Sequence, residues 1–150
     1  MSIKYRDAKT TDVNRCIEIR GLTRENPIAT EVLKQFGVTE QSWKFEIEQE
    51  RIIGIIAQNQ SQAIGFCFGN TITGEIQSLA ILPHFEGKGF SKIMLSLVVE
   101  KLSQLNFKRL WLAASPNREI RAHGFYRHLG WKSTGQKDNY GDEILELTIN

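Results

Sequence analysis

The segment His84-Phe85-Glu86-Gly87-Lys88-Gly89-Phe90-Ser91 has the residue types of an anion site. It follows an apolar run, Leu79 to Leu82, closed by Pro83, and precedes an amphipathic stretch, so it reads as a strand-to-helix turn. The first turn of a helix leaves backbone N–H groups without intrahelical partners, and its dipole places partial positive charge there. Glycines let a ligand approach the backbone, and Lys88 and Lys92 add full charges beside it. A diphosphate suits such a turn. Two familiar phosphate loops do not match. A GxxxxGK followed by Ser or Thr is absent, and Gly87-Lys88-Gly89 begins a GxGxxG whose third glycine position holds Lys92. Taken alone, the turn is equally an ordinary strand-to-helix connection.

The elements around it follow from hydrophobic period. Lys4–Ala8 is extended, and Thr10 or Thr11 is placed to cap a helix running to about Arg20, with Val13, Cys16 and Ile17 as its stripe. Thr30 is placed to cap a short helix carrying Val32, Leu33 and Phe36, and Thr39 opens another carrying Trp43 and Ile47, with Phe45 covered on a second side. The period then changes to that of strands: Arg51–Ala57, Ala63–Gly69 and Glu75–Leu82, joined as a meander. A helix from about Ser91 to Leu105 carries Met94, Leu97, Val98, Leu102 and Leu105 on one face. Arg109–Ala113 completes a parallel β-loop-α-β unit. A helix over Ala122–Leu129 and a hairpin of Trp131–Thr134 with Glu143–Thr148 close the chain. The reading is one α/β (α+β) domain over 1–150, with a mixed sheet of about six to seven strands and flanking helices.

Two of these segments resemble motifs of the GNAT superfamily of acyl-CoA N-acyltransferases. Leu79-Ala-Ile-Leu-Pro-His-Phe-Glu-Gly-Lys-Gly-Phe-Ser91 looks like motif A, a strand end followed by [Q/R]xxGx[G/A] opening a long helix. Ala122-His-Gly-Phe-Tyr-Arg-His-Leu-Gly-Trp131 looks like motif B, AxxFYxxxGF. The order of elements along the whole chain is similar too. The resemblance implies a GNAT fold in which the parallel strands Glu75–Leu82 and Arg109–Ala113 splay apart around acetyl-CoA. It places the diphosphate on the amides of Glu86, Gly87, Lys88, Gly89, Phe90 and Ser91, and the pantetheine along Leu79, Ile81 and Leu82, whose amides polarise the thioester oxygen. Three positions depart from the pattern: Glu86 stands for Gln or Arg, Ser91 for Gly or Ala, and Glu119 where motif B has its asparagine. Asn117 is the nearest asparagine to serve as a pantetheine ligand. Glu86 is compatible with a diphosphate only if its carboxylate turns to a basic neighbour or a free amide.

The resemblance also implies an acid–base pair. A lysine-like amine costs roughly 4–5 kcal/mol to present neutral at pH 7, so a base or relay is needed. Glu75, at the strand start, resembles the catalytic glutamate of the histone-acetylating branch. Gln77 shares its face and is placed to hold a water. Tyr126 matches the motif-B tyrosine beside the sulfur and is the proton donor to the leaving thiolate. Without the resemblance, Glu75 is an ordinary glutamate after a turn and Tyr126 a core tyrosine. The acceptor is expected between Thr23–Asn26 and Lys137–Tyr140, with Glu25 and Asp138 facing a cationic amine. It is a small-molecule amine or a peptide or protein amine. The alternative is a catalytically silent acyl-CoA sensor of the same fold.

Composition excludes other classes. The 150 residues carry 19 Lys+Arg against 17 Asp+Glu, scattered rather than clustered, which argues against a nucleic-acid partner. No apolar stretch approaches the ~20 residues that span a bilayer, and the N-terminus lacks a signal-peptide pattern, so no membrane partner and a cytoplasmic site are expected. His84, His123 and His128 lack ligand spacing, so no metal is expected. The only two cysteines, Cys16 and Cys67, read as buried free thiols. Many family members form homodimers, an assembly that no edge in this sequence forecasts.

Overall fold

The run Ala63-Ile64-Gly65-Phe66-Cys67-Phe68-Gly69 is apolar throughout, the pattern of a strand covered on both faces. In the computed structural model, which describes residues 2–150, that run is the centre of the molecule. The elements are β1 (Ile3–Asp7), α1 (Val13–Arg20), α2 (Thr30–Gln35), α3 (Glu40–Glu48), β2 (Ile52–Asn59), β3 (Gln62–Asn70), β4 (Ile76–Ile81), α4 (Phe90–Ser103), β5 (Arg109–Ala114), α5 (Arg121–His128), β6 (Lys132–Lys137) and β7 (Glu143–Thr148). Strands β1-β2-β3-β4 form one antiparallel sheet and β5-β7-β6 another. The two meet through one parallel bridge, Glu75 to Trp111. Among the described residues, seven strands and flanking helices make the mixed α/β fold that the sequence predicts.

Alternation along β2 and β3 sorts side chains to two cores. Phe66, Phe68 and Ile56 join Val13, Cys16, Ile19 and Trp43 under α1 and α3. Cys67 and Ile55 join Met94, Leu95, Val98 and Leu102 of α4, with Leu110, Leu112 and Leu145. Burial holds the Cys16 thiol at about 12, and the Asp12 charge adds to that. Burial also pushes the Cys67 thiol up, so both cysteines stay protonated. Within β2, Gly54 makes room for the aromatic cluster. A Cβ there would come 2.3 Å from two ring atoms of Phe68 and 3.1 Å from the Ala8 methyl. Phe68 is held between Trp43 and Phe66, with ring centroids 5.2 and 5.4 Å away. Gly54→Ala should therefore lower stability by about 1–3 kcal/mol in urea unfolding, the cost of overpacking a filled core.

Several local expectations shift. Neither Thr10 nor Thr11 caps α1. A 3₁₀ turn over Thr10–Asp12 precedes it, and the Asp12 carboxylate accepts from Lys9 N–H at 2.8 Å and from Arg6 Nη1 and Nη2 at 2.8 and 2.7 Å. Burial alone would raise the Asp12 pKa, but those hydrogen bonds lower it below the usual carboxylate range. Ala29 rather than Thr30 caps α2, while Thr39 does cap α3, its Oγ1 accepting from Ser42 N–H at 3.0 Å. Leu105 lies past the end of α4 and is half exposed, and Leu95 is buried in its place. Phe45 is also exposed, with Arg51 over its ring as cover. The closing strand β6 extends to Lys137 through an irregularity that contains Gly135. Polar β6 takes the sheet edge, and β7, which carries buried Leu145, inserts beside β5.

Candidate active site

Parallel pairing of β4 with β5 stops almost where it starts. Trp111 N–H donates to the Gly74 carbonyl at 3.2 Å, beside the Glu75–Trp111 bridge. On its other edge β4 stays paired to β3, but Phe68 faces Ser78 while Gly69 faces Ile76, so Gln77 is an extra residue. Such a bulge bends its strand, and beyond it β4 and β5 part. Leu82 N–H donates to the Ile64 carbonyl at 2.9 Å. By antiparallel alternation Ala80 and Ser78 also face β3, which turns the N–H and C=O of Leu79 and Ile81 into the gap. Ile149 N–H donates to the Lys108 carbonyl at 2.8 Å, and the same alternation turns Ala113 toward the gap from β5. Between the strands lies a cleft of about 740 Å³.

One end of the cleft is the start of α4. Gly87 and Gly89 have φ of +74° and +87°, and Gly89 caps the helix. The first intrahelical bond there, Ile93 N–H to the Gly89 carbonyl, is 3.3 Å long. The N–H groups of Phe90, Ser91 and Lys92 therefore have no partner within the helix. A Cβ added at Gly89 would meet nothing within 4 Å. The Glu86 carboxylate is paired, accepting from Arg24 Nε at 3.0 Å and Arg121 Nη1 at 3.2 Å. This is the basic neighbourhood its position demands.

Most of the candidate residues share the cleft wall: Leu79, Ile81, Glu86, Gly87, Gly89, Phe90 and Ser91, with Glu75 and Tyr126. Leu82, Lys88 and Asn117 are not among the lining residues. The Leu82 amide is spent on β3, and Lys88 points to solvent from the crest of the turn. Asn117 Oδ1 accepts from Glu119 N–H at 3.0 Å in the turn before α5. Arg20, Trp43 and Arg121 are among the lining residues to which the sequence reading gave no role in the site. Arg20 and Trp43 read as helix positions with no distinguishing signal, and Arg121 is one position before the motif-B alanine.

Glu75 sits half-buried where the strands part. Burial raises its pKa above the usual glutamate range, and the Asp138 charge adds to the rise. Tyr126 enters from α5, its ring edge-on to Phe125 at 5.2 Å and Trp131 at 6.2 Å. Burial pushes its hydroxyl pKa up, Cys67 adds to this, and Arg20 opposes it. The Arg20 guanidinium donates to Thr23 Oγ1 at 3.3 Å and the Asn26 carbonyl at 3.1 Å, and burial lowers its pKa. Thr23, Glu25 and Asn26 line the expected acceptor side, but Asp142 is the residue that reaches the cleft from the closing hairpin. Asp138 instead folds onto its own loop, accepting from Tyr140 N–H and Asp142 N–H at 2.9 Å each. Phe36 and Tyr140 meet edge to face at 5.2 Å, joining α2 to that loop. No described helix is long and apolar enough to cross a membrane.

A family model described as Acetyltransferase (GNAT) family matches residues 17–131. The [ribosomal protein bS18]-alanine N-acetyltransferase of Haemophilus influenzae is 28% identical over 93 residues, which cover 61% of this chain and 62% of that protein. The match thus spans about three fifths of that relative's own length. Among solved structures, the PaiA N-acetyltransferase of Thermoplasma acidophilum, in complex with coenzyme A, aligns with a TM-score of 0.82 at 20% identity, over 99% of this chain and 100% of that one. The ribosomal-protein-S18-alanine N-acetyltransferase of Escherichia coli aligns with a TM-score of 0.72 at 17% identity, over 99% and 95%. At these identities the structural likeness is one of fold.

Proposed function

The chain belongs to the acetyltransferase (GNAT) family, and from that premise we propose that it moves an acetyl group from acetyl-CoA to a primary amine by direct attack in a ternary complex. The observation that carries this reading is the parting of β4 and β5 over the open N-terminus of α4. Amides free of intrahelical partners at Phe90, Ser91 and Lys92, with Gly87 and Gly89 alongside, suit a diphosphate. The free edge of β4 at Leu79 and Ile81 suits an extended amide-bearing arm.

Acetyl-CoA supplies an acyl group activated as a thioester. The chain's own residues do the rest. Glu75, ionised, accepts a proton from the acceptor ammonium directly or through a water held near Gln77. The amine nitrogen then bonds to the thioester carbon. A β4 amide, from Leu79 or Ile81, donates to the carbonyl oxygen as negative charge develops there. As the C–S bond breaks, Tyr126 gives its proton to the sulfur, and the second proton that the nitrogen loses on becoming an amide restores the Tyr126 hydroxyl through water. The curated relative is named for an alanine of a ribosomal protein, which makes a protein α-amine one acceptor class beside small amines. An α-amine costs only about 1 kcal/mol to neutralise at pH 7, against roughly 4–5 for a lysine amine, so it asks less of Glu75. Glu86, the residue that favours a silent sensor, is accounted for by its two arginines.

Calorimetric titration with acetyl-CoA, followed by a panel of α- and ε-amine acceptors, tests the proposal. Ligand at a hundred times its Kd should add about 2.7 kcal/mol to stability. Saturable binding without turnover across both amine classes would leave the sensor. Glu75→Gln should lower kcat/KM about a hundredfold at neutral pH. It should also erase an acid limb lying above the usual glutamate range, since the wild-type group is protonated and idle below its raised pKa. The same shift has a stability consequence. A raised folded-state pKa favours folding below the unfolded value, and that benefit is lost as pH rises through the folded value. The Gln variant should therefore melt higher than wild type at neutral pH, and a pH–rate profile identical to wild type would refute the base.

A further inference from the structure

A carboxylate beside a diphosphate loop is unfavourable unless its charge is put to use. Glu86 Oε2 accepts from both Arg24 Nε, at 3.0 Å, and Arg121 Nη1, at 3.2 Å. Glu25 Oε1 completes the cluster, accepting from Arg24 Nη2 at 3.2 Å and from Arg121 backbone N–H at 3.0 Å. The Glu86 side chain is 16% exposed, whereas those of Arg24 and Arg121 are 53% and 51% exposed. The anion is thus the buried member of the cluster and the guanidinium groups its exposed ones. Arg121 lines the cleft, and its guanidinium lies over the phosphate turn: a Cβ at Gly87 would sit 3.7 Å from Nη2 and 3.9 Å from Nη1. Its side chain commits only Nη1, leaving Nε and Nη2 as donors in a fixed planar fork. That fork matches a phosphate oxygen pair better than a lysine does. Arg24 belongs to the segment between α1 and α2, whose Thr23, Glu25 and Asn26 line the acceptor side.

We propose that Arg121 is an additional ligand for the diphosphate of acetyl-CoA, and that Glu86 is the positioning residue that holds it over Gly87. The assignment rests on the acetyl-CoA reading above. Through Arg24 the same carboxylate fastens the α1–α2 segment, so the cofactor end and the acceptor wall are built on one charge cluster.

The test titrates acetyl-CoA and, at millimolar concentration, S-acetylpantetheine, which keeps the thioester and arm but has no phosphate. Arg121→Gln should weaken acetyl-CoA binding about tenfold, flatten its salt dependence, and leave S-acetylpantetheine unchanged; Arg121→Lys should recover part of the loss. Glu86→Gln should tighten acetyl-CoA binding in the Arg121→Gln background, where only repulsion is removed. In the wild-type background it should not tighten it, because the hold on Arg121 goes too. An unchanged acetyl-CoA Kd in Arg121→Gln, or an equal loss for both ligands, overturns the ligand assignment. The same Glu86→Gln effect in both backgrounds overturns the positioning role. A wild-type protein that binds neither ligand overturns the acetyl-CoA reading and this assignment with it.

Discussion

Tyr126→Phe should cut kcat by about 10²–10³ while leaving the Kd of acetyl-CoA where it was, the range expected when a general acid is lost. The ring has its own supports, edge-on to Phe125 and Trp131. A phenylalanine therefore occupies the same place, and the variant loses the hydroxyl alone. Burial has raised the pKa of that hydroxyl, with Cys67 adding to the effect, so the proton to be donated is present at every working pH. For the same reason Tyr126 should impose no alkaline limb on the rate below the ordinary tyrosine range of ~10. Thiol release in steady state gives kcat, and calorimetry gives Kd. Losses of equal size in both would make Tyr126 a binding residue and leave the leaving group without its proton donor.

Gly89→Asp should weaken acetyl-CoA binding more than a hundredfold and abolish its thermal shift. Three effects act together. Gly89 has φ of +87°, a conformation costing a non-glycine residue about 1–2 kcal/mol. The new carboxylate repels a diphosphate. Placed at the cap of α4, it also accepts from the free amides that the phosphate needs. That last contact offsets part of the strain, so the apo melting temperature should move little while binding collapses. Gly89→Ala separates the effects. Its methyl group meets nothing within 4 Å, so it carries the strain alone and should weaken binding about tenfold or less. Similar losses in the two variants would mean that backbone shape, not charge, governs the site.

Much of this architecture was legible along the chain. The unbroken apolar run of β3, the Gly87 and Gly89 turn before an amphipathic helix, and Phe125-Tyr126 on a short helix are all near-neighbour patterns, set by period and by backbone freedom. Leu79, Ile81, Gly87, Gly89, Phe90, Ser91, Glu75 and Tyr126, which line the cleft, were assigned to a site only through the family resemblance that those patterns carry. Where local rules misled, the cause was local competition. Asp12, with Arg6 as a partner, displaced Thr10 and Thr11 as the anchor of α1, and α4 stopped before Leu105 could reach its core.

Other features have no local signature. The bulge at Gln77 exists only because β3 pairs on both sides of it, and the gap exists because β5 cannot follow the bend. The neighbours of Glu86 lie 62 residues upstream at Arg24 and 35 downstream at Arg121, and Glu25 reaches Arg121 across 96. The sequence by itself determined most of the strands and helices and a glycine-bearing turn at the start of a helix, because those depend on side chains a few positions apart. Which charges stand around that turn was decided by tertiary structure alone. A carboxylate's effect depends on its distance from other charges in space, and chain order does not carry that distance.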